Sequence, residues 1–484
     1  MKNTLVTESE IEKQKSIMRH IRDTARDSAL RLAYVDTYGC QQNESDSEKL
    51  RGMLREMGYE ITPDEFAAEV VVINTCAIRE NAENRVLGNI GALVHTKKAK
   101  PSQIIVMCGC LAGVPETVAK IRESYAHVSL TFPPNALWRF PELLYAVMLR
   151  RALDEGRDPA ICRAAAEMPV GPRRMFVDDD RAAIAEGLPT HRDMQVRAWL
   201  PVMYGCDNFC SYCIVPYVRG RERSREREDI LEEARGLVAA GYKDITLLGQ
   251  NVNSYGAGGS DNFPSLLRAI TAIEGEFLIR FMTSHPKDAS AELFEAMAQS
   301  GRAARHIHLP FQSGSDRILA LMNRGYTQSE YLEKVAAARK LMPDISLTSD
   351  VIIGFPGETD DDYEQTLRLI EAARFDSLFI FIYSKRPGTP AAKLEDNLPK
   401  EVKAARFERL NNLQNSISVE KHSRFIGKTV RVLVDGQTNE GSYTLKSRTN
   451  GGRLVHLTGG PELIGRFVDA GITHCNSWSL FGEP

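Results

Sequence analysis

Short apolar runs alternate with helical stretches in the first part of the chain. Three of these runs, at residues 32–37, 70–74 and 104–107, have the length of strands. Apolar runs of this length that alternate with helices are typical of a parallel βαβ sheet. The pattern therefore predicts a small Rossmann-like α/β domain at 31–153, preceded by an N-terminal extension at 1–30.

The alternation of strand and helix resumes near residue 200 and repeats six times. Between the first two runs, Ile230, Leu231 and Ala234 share one helical face, and Gly241 follows them where a helix would end. Six βα units predict a partial (β/α)6 barrel at 198–423. The predicted strands are 200–204, 244–249, 278–283, 306–311, 346–353 and 378–383.

Two other segments lack this alternation. Residues 154–197 contain several prolines and the acidic stretch 178–180, and they predict a linker or strap. Beyond 424 the apolar runs become short and are separated by glycines, at 429–434, 453–457 and 463–468. This pattern of short apolar runs separated by glycines predicts a small β-barrel at 424–484.

Composition narrows the setting of the protein. The 484 residues, 43% of them apolar, are enough for more than one hydrophobic core. The net charge of −3 argues against general binding of polyanions, so a nucleic acid would have to bind at local basic patches. The first 28 residues lack the apolar core of a signal peptide, and no run of about 18 apolar residues occurs. We therefore expect a cytoplasmic protein without a membrane partner. Nine cysteines in such a chain favour metal binding or catalysis over disulfides.

The three cysteines that follow the first barrel run are the strongest chemical signal. Cys206, Cys210 and Cys213 form a Cys-x3-Cys-x2-Cys loop at the predicted carboxyl mouth of the barrel. Three thiolates on a four-iron cluster leave one iron open for another ligand. A zinc knuckle is the alternative, but zinc needs four protein ligands in a structural site, and no fourth Cys or His follows at short spacing.

A second group of cysteines follows the strands of the first domain. Cys40, Cys76 and either Cys108 or Cys110 come directly after successive runs, and the carboxyl ends of parallel strands meet at one edge of a sheet. Buried free cysteines are common, so these residues alone leave a structural role open.

The motifs around both groups resemble the methylthiotransferase family of the radical S-adenosylmethionine (radical SAM) superfamily. The resemblance implies that Cys206, Cys210 and Cys213 hold a [4Fe-4S] cluster that cleaves S-adenosylmethionine. It also implies that Cys40, Cys76 and Cys110 hold an auxiliary [4Fe-4S] cluster, with Cys108 as a packed neighbour. The sequence departs from the family at Gln42 and Gly113, neither of them a ligand position. The motifs of the first domain are 38–47, 74–76 and 109–112.

Motifs in the barrel resemble the branch of the family that acts on tRNA. They imply methylthiolation of C2 of N6-isopentenyladenosine at position 37, with two S-adenosylmethionine molecules as methyl donor and radical source. Gln250 and Gln312 are implied as cofactor-binding residues. A methylthiotransferase for another substrate and a non-catalytic iron–sulfur RNA-binding module are the alternatives. The motifs are 215–225, 248–256, 308–315, 322–327 and 383–391.

The expected partners follow from this resemblance. The terminal domain resembles the TRAM module, which implies a grip on the tRNA anticodon stem-loop, and residues 219–227 carry five arginines against two glutamates for phosphate contact. The chemistry further implies an electron donor such as flavodoxin or ferredoxin and a protein that supplies sulfur or repairs the cluster. A turn that needs a permissive backbone would explain the glycines at 354 and 357 equally well, and the resemblance implies that this place packs against the adenine moiety. We expect no metal at His306 and His308, and no role for Cys162 or Cys475.

Overall fold

The computed structural model describes residues 4–24, 31–77, 80–156, 170–178, 183–257, 259 and 261–484. The chain divides into two compact units. The first contains Met1–Asp193, Tyr204–Asp207 and Cys213–Arg223, and the second contains Met194–Met203, Asn208–Tyr212 and Ser224–Pro484. Cys162, for which we expected no role, lies outside the described residues.

The first unit is built on a parallel six-stranded sheet, which confirms the predicted Rossmann-like class. Its strand order is β3-β2-β4-β5-β6-β7, and the central strands β4 and β5 are buried on both faces. This explains their unbroken apolar sequences. The strands of the unit are β1 (Thr4–Leu5), β2 (Leu32–Thr37), β3 (Glu60–Ile61), β4 (Val70–Thr75), β5 (Ile104–Gly109), β6 (Leu130–Phe132), β7 (Met175–Phe176) and β8 (Ala183–Ile184).

Helices cover the two faces of this sheet, and the sheet separates two apolar cores, one on each face. The N-terminal extension forms the first helix, which begins with a capping box: the side chains of Thr7 and Glu10 each accept a hydrogen bond from the other's backbone amide. Ile17, Met18 and Ile21 of this helix are buried in the core. The helices are α1 (Glu8–Asp23), α2 (Gln41–Glu56), α3 (Glu80–Ala99), α4 (Pro115–Ser124), α5 (Phe140–Asp154) and α6 (Val215–Arg219).

The segment predicted as a linker or strap contributes strands to this unit. β7 extends the sheet beside β6, and β8 pairs in parallel with β1. Both strands are only two residues long, too short to leave an apolar period in the sequence.

The second unit contains the six parallel strands of the predicted partial barrel. They form two three-stranded sheets, β13-β12-β9 and β14-β15-β16. The fourth strand is shorter than predicted, because it ends at His308 before Pro310. The six strands are β9 (Arg197–Pro201), β12 (Asp244–Leu248), β13 (Leu278–Phe281), β14 (His306–His308), β15 (Ser346–Ile353) and β16 (Ser377–Ile382). Two short strands, β10 (Met203–Tyr204) and β11 (Arg223–Ser224), form a separate two-stranded sheet.

Helices pack on the outside of these strands and share one large apolar core with them. Ile230, Leu231, Ala234 and Leu237 are buried in that core, as their period predicts. The helices are α7 (Arg227–Ala239), α8 (Phe263–Thr271), α9 (Ala291–Gln299), α10 (Asp316–Leu321), α11 (Gln328–Leu341), α12 (Asp360–Ala373) and α13 (Lys400–Ser423). Within the described residues, no helix combines the length and apolar character needed to cross a membrane.

The chain ends in a closed five-stranded barrel, as predicted, although its strands differ from the predicted ones. The run 463–468 is wrong as a strand, because Pro461–Leu463 form a 3-10 turn and the strand begins at Phe467. Two strands, Leu445–Thr449 and Ser479–Glu483, were not predicted. The strands are β17 (Thr429–Gln437), β18 (Leu445–Thr449), β19 (Leu454–Leu457), β20 (Phe467–Cys475) and β21 (Ser479–Glu483).

Candidate metal centres

Three cysteines of the first unit follow the carboxyl ends of adjacent strands. Thr75 of β4 pairs with Gly109 of β5, so Cys76 and Cys110 are each the next residue beyond the last paired row. In the other direction β4 pairs with β2, which ends three residues before Cys40. The register of one sheet therefore brings Cys40, Cys76 and Cys110 to a common edge.

Close backbone packing holds these strand ends together. Gly39, next to Cys40, has a φ of +128°, and a Cβ placed on it would lie 2.6 Å from the Cβ of Cys76. Gly109, next to Cys110, has a φ of +88°, and its Cβ would lie 2.5 Å from the carbonyl oxygen of Thr75. Glycine is required at both positions because a side chain has neither the space nor the backbone conformation there.

Asn43 connects all three cysteine segments through its side chain. It is fully buried in the first turn of α2, and its Nδ2 donates to the carbonyl oxygens of Tyr38 and Thr75, both at 2.8 Å. Its Oδ1 lies 3.9 Å from the Sγ of Cys110. The residues before Cys40 and Cys76 and the thiol of Cys110 therefore meet at one amide.

A buried arginine lies against the same thiol. Arg219, at the end of α6, donates from Nε to the Sγ of Cys110 at 3.4 Å and from Nη2 to the Oδ2 of Asp46 at 2.7 Å. Burial raises the pKa of the Cys110 thiol, and the Arg219 guanidinium partly offsets this effect. Burial also opposes the charge of Arg219, but the pKa of its guanidinium is well above its ordinary value because Cys110, Asp46 and Cys40 surround it.

Cys108 and Cys110 occupy different environments. Cys108 lies in β5 and packs into the core on the side of Val106 and Leu130, and burial raises the pKa of its thiol well above the ordinary value. Cys110 is beyond the strand, beside Arg219. Of the two competing thiols, Cys110 has the surroundings expected of a metal ligand.

The thiols of the first unit do not yet form a closed ligand set. Among the described residues, no three Cys, His, Asp or Glu side chains are grouped closely enough to hold a metal ion. Cys40 is exposed, whereas Cys76 and Cys110 are buried. The fit of a cluster therefore rests on the chemistry of the three thiols and on the sheet edge that they share.

The Cys-x3-Cys-x2-Cys loop has two of its cysteines in the first unit. Cys206 and Cys213 are half-buried, and the backbone amide of Cys206 donates to Gly220 at 3.2 Å. Gly205, directly before the loop, has a φ of +78°, and a Cβ there would lie 2.0 Å from the carbonyl oxygen of Arg221. The loop thus begins against the segment that follows it.

The remaining loop cysteine, Cys210, is buried in the second unit beside another arginine. Arg324 donates from Nη1 to the Sγ of Cys210 at 3.3 Å and from Nη2 to the carbonyl oxygen of Pro310 at 2.8 Å. The Nε2 of His285 lies 4.0 Å from the same sulfur. Burial, followed by Arg324 and Lys287, lowers the pKa of His285 to about 2, so this imidazole is neutral.

The predicted cofactor-binding glutamines follow barrel strands of the second unit. Gln250 is half-buried after β12. Gln312 is buried with a left-handed φ of 67°, and its Oε1 has no hydrogen-bond partner among the described residues. Asn253, three residues after Gln250, also has no partner for either amide atom within the described chain. Buried polar atoms without partners are costly unless a ligand satisfies them.

The basic run 219–227 is not the solvated phosphate-binding surface that we expected. Arg219, Arg223 and Arg225 are buried, and each donates to groups within its own unit. Burial lowers the pKa of Arg223 to about 10. Arg221 is 58% exposed, and Arg227 pairs with Asp261. The number of arginines in the sequence therefore overestimates the accessible charge, because three of the five side chains are buried.

The remaining candidates lie in β14, in the turn after β15 and at the end of β20. The rings of His306 and His308 share the hydroxyl of Thr348 within β14 and β15. Gly354 and Gly357 both have left-handed backbones in the turn after β15. Cys475 is half-buried at the end of β20.

Sequence reasoning missed the polar residues that surround the thiols. Asn43, Asp46 and Arg324 are buried, and only their placement in polar motifs next to candidate ligands signals a role. The first two turns of α2 bury six polar residues, with only Glu44 among them half-buried, and such a concentration of buried polar groups is itself a sign of a site. They are Gln42, Asn43, Ser45, Asp46, Ser47 and Glu48.

Three family models match successive parts of the chain. Residues 32–132 match Uncharacterized protein family UPF0004, residues 200–370 match the Radical SAM superfamily, and residues 423–484 match the TRAM domain. A solved structure of a radical S-adenosylmethionine methyltransferase, TsrM, from Kitasatospora setae is similar at a TM-score of 0.49 and 16% identity, covering 75% of this chain and 77% of that one.

Curated relatives match over the full chain. A tRNA-2-methylthio-N(6)-dimethylallyladenosine synthase of Acetivibrio thermocellus is 45% identical, covering 100% of this chain and 98% of the relative. A relative of the same name from Alkaliphilus oremlandii is also 45% identical, covering 99% of this chain and 98% of the relative. The barrel, the thiol loop and the domain order are thus those of a radical SAM enzyme with a TRAM domain. More particularly, the chain belongs to the family of tRNA-2-methylthio-N(6)-dimethylallyladenosine synthases.

Proposed function

We propose that this enzyme methylthiolates C2 of N6-isopentenyladenosine at position 37 of tRNA, as the names of its relatives indicate. The radical SAM domain accounts for the use of S-adenosylmethionine and a [4Fe-4S] cluster, and an auxiliary cluster is characteristic of the methylthiotransferases. We propose Cys206, Cys210 and Cys213 as ligands of the first cluster. For the auxiliary cluster we propose Cys40, Cys76 and Cys110.

The observation that carries the proposal is the common edge of three thiols in the first unit. β4 and β5 each lead directly into a cysteine, β2 ends three residues before Cys40, and Gly39 and Gly109 allow the strand ends to pack closely. Thiolates are the usual ligands of iron–sulfur clusters, and three of them leave one iron open. When bound, the loop cluster supplies the electron that cleaves S-adenosylmethionine, and the auxiliary cluster supplies the sulfur.

The chain's own residues prepare both sites for this chemistry. Arg219 and Arg324 each donate a hydrogen bond to one proposed ligand sulfur, which favours the thiolate form that metal binding requires. His285 is neutral beside Cys210 and so adds no charge there. The amide oxygen of Gln312 and the amide of Asn253, neither of which has a partner in the described part of the chain, support polar contacts to S-adenosylmethionine in the second unit.

Recognition of tRNA is proposed for the TRAM domain and not for the arginine run. The domain match covers the whole terminal barrel, whereas three of the five arginines in 219–227 are buried. Adenosine 37 lies in a loop of single-stranded character, so the enzyme reaches the base without opening a duplex. We further propose flavodoxin or ferredoxin as electron donor, a separate sulfur-supplying or cluster-repair protein, and a cytoplasmic location.

Counting iron and 5'-deoxyadenosine tests this assignment. Anaerobically reconstituted protein should bind about eight irons per chain, from two four-iron clusters. Replacing Cys206, Cys210 and Cys213 together by Ala should leave about four irons and abolish release of 5'-deoxyadenosine on reduction. Replacing Cys40, Cys76 and Cys110 should also leave about four, but release of 5'-deoxyadenosine should persist. A variant of either set that retains all its iron would contradict the ligand assignment.

A further inference from the structure

Arg219 has a third hydrogen-bond acceptor, a cysteine sulfur, besides the two acceptors that balance its buried charge. Arg219 is 5% exposed, and its Nη2 donates both to the Oδ2 of Asp46 at 2.7 Å and to the Oδ1 of Asn43 at 2.8 Å. These two acceptors already balance the buried charge and one side of the guanidinium. The Nε nevertheless points at the Sγ of Cys110, at 3.4 Å.

Stability does not explain this arrangement. A buried ion pair such as Arg219–Asp46 contributes little net stability, because removing two charges from water offsets their attraction. An apolar pair of similar volume is often as stable. A guanidinium with three acceptors, one of them a thiol, is therefore better explained by the sulfur than by the fold.

The chemistry of thiolate clusters gives the contact a purpose. Hydrogen bonds to the sulfurs and nearby charge are among the factors that set the reduction potential of an iron–sulfur cluster. A buried cluster with three thiolates carries negative charge, and each added electron makes it more negative. A cation beside one sulfur stabilises the reduced form and raises the potential, while Asp46 acts in the opposite direction.

We propose that Arg219 is a positioning residue for the auxiliary cluster, fixing the Cys110 sulfur by its Nε–H hydrogen bond and raising the reduction potential of the cluster by its charge. The inference rests on the proposed function only in that Cys110 is a cluster ligand. Arg219 lies in α6, so the segment that follows the radical loop supplies this contact.

The test isolates the auxiliary cluster in the full chain. In protein carrying Cys206→Ala, Cys210→Ala and Cys213→Ala, the remaining cluster is followed by redox potentiometry with electron paramagnetic resonance. Arg219→Met removes both hydrogen bond and charge, Arg219→Lys keeps the charge, and Asp46→Asn removes the opposing charge. Arg31→Met is the matched control, since Arg31 is 11% exposed in the same unit but pairs with Glu69 and Tyr59 before β2.

We expect substitutions of Arg219 and of Asp46 to shift the midpoint potential of the auxiliary cluster in opposite directions. Arg219→Met should move the midpoint potential to more negative values, Arg219→Lys should move it less, and Asp46→Asn should move it to more positive values. Arg31→Met should leave it unchanged. A residue that only supported the fold would not produce opposite signs from the two partners of one ion pair.

The outcomes separate this inference from the proposed function. If the background protein holds no cluster, the assignment of Cys40, Cys76 and Cys110 is wrong and this inference is overturned with it. If it holds four irons but Arg219→Met has the parent's potential and spectrum, only the role of Arg219 is overturned. Should Arg219→Met fail to load, Arg219→Lys decides in its place, and an unchanged potential and spectrum in that variant overturn the role.

Discussion

Replacing Asn43 by aspartate tests whether one amide holds the cysteine segments together. The change preserves shape, but the Nδ2 that donates to Tyr38 and Thr75 becomes an oxygen that faces both carbonyls. Each buried group left without a partner costs about 1–3 kcal/mol, so the two carbonyls together cost about 2–6 kcal/mol. A charged hydrogen bond from Arg219 recovers about 1–2 kcal/mol of this loss.

We therefore expect Asn43→Asp to lower the free energy of unfolding by about 2.5 kcal/mol, the difference between the midpoints of these two ranges. The variant should also bind about four irons instead of eight, because the strand ends no longer hold their positions. Urea unfolding of the apoprotein measures the first quantity and iron analysis of reconstituted protein the second. Asn84→Asp is the matched control, since Asn84 is exposed on α3. If Asn43→Asp matches this control in both stability and iron, the proposed role of Asn43 is refuted.

Three further changes address other parts of the structure. Cys110→Ala should lose the auxiliary cluster. Cys108→Ala should keep about eight irons and lower the free energy of unfolding by about 1 kcal/mol. The reverse pattern in iron analysis would exchange the roles of the two cysteines. Arg225→Gln should lower that free energy by about 2–3 kcal/mol, because buried Arg225 loses its charged hydrogen bonds to Glu233 and to the carbonyl oxygen of Pro201. Its tRNA affinity in filter binding should be unchanged, and weaker binding in a stable variant would restore the phosphate-contact hypothesis. Burial raises the pKa of Glu48 from its ordinary value of 4.5 to about 7. Between pH 4.5 and pH 7 the folded state therefore holds a proton that the unfolded state has lost, and the free energy of unfolding falls as the pH rises through this window. Glu48→Gln should therefore stabilise the apoprotein by about 2–3 kcal/mol at pH 8 but not at pH 4.5, and equal urea midpoints at pH 8 would count against a buried, protonated Glu48.

The architecture was predictable because its signals are long and repetitive. Buried parallel strands such as β4 and β5 have continuous apolar sequences, and six βα units repeat the same alternation. The errors fall where the elements are short or exposed on one face. β7 and β8 have two residues each, and β18 has charged residues on its outer face.

The candidate ligands were predictable, but their surroundings were not. Cysteines after successive strands are visible in sequence because the topology of a parallel sheet brings strand ends together. The partner of a buried arginine is not, since Asp46 and Arg219 are far apart in the chain and meet only through tertiary packing. The same limit explains why the run 219–227 was misinterpreted as an exposed basic surface.

Nucleoside analysis of tRNA tests the central claim most directly. A host that lacks this protein should accumulate N6-isopentenyladenosine without its 2-methylthio group, as followed by chromatography and mass spectrometry. Wild-type protein should restore the 2-methylthio nucleoside, and variants of Cys110 or Cys213 should not. Unchanged 2-methylthio nucleoside in the deletion host, or full restoration by either cysteine variant, would contradict the account.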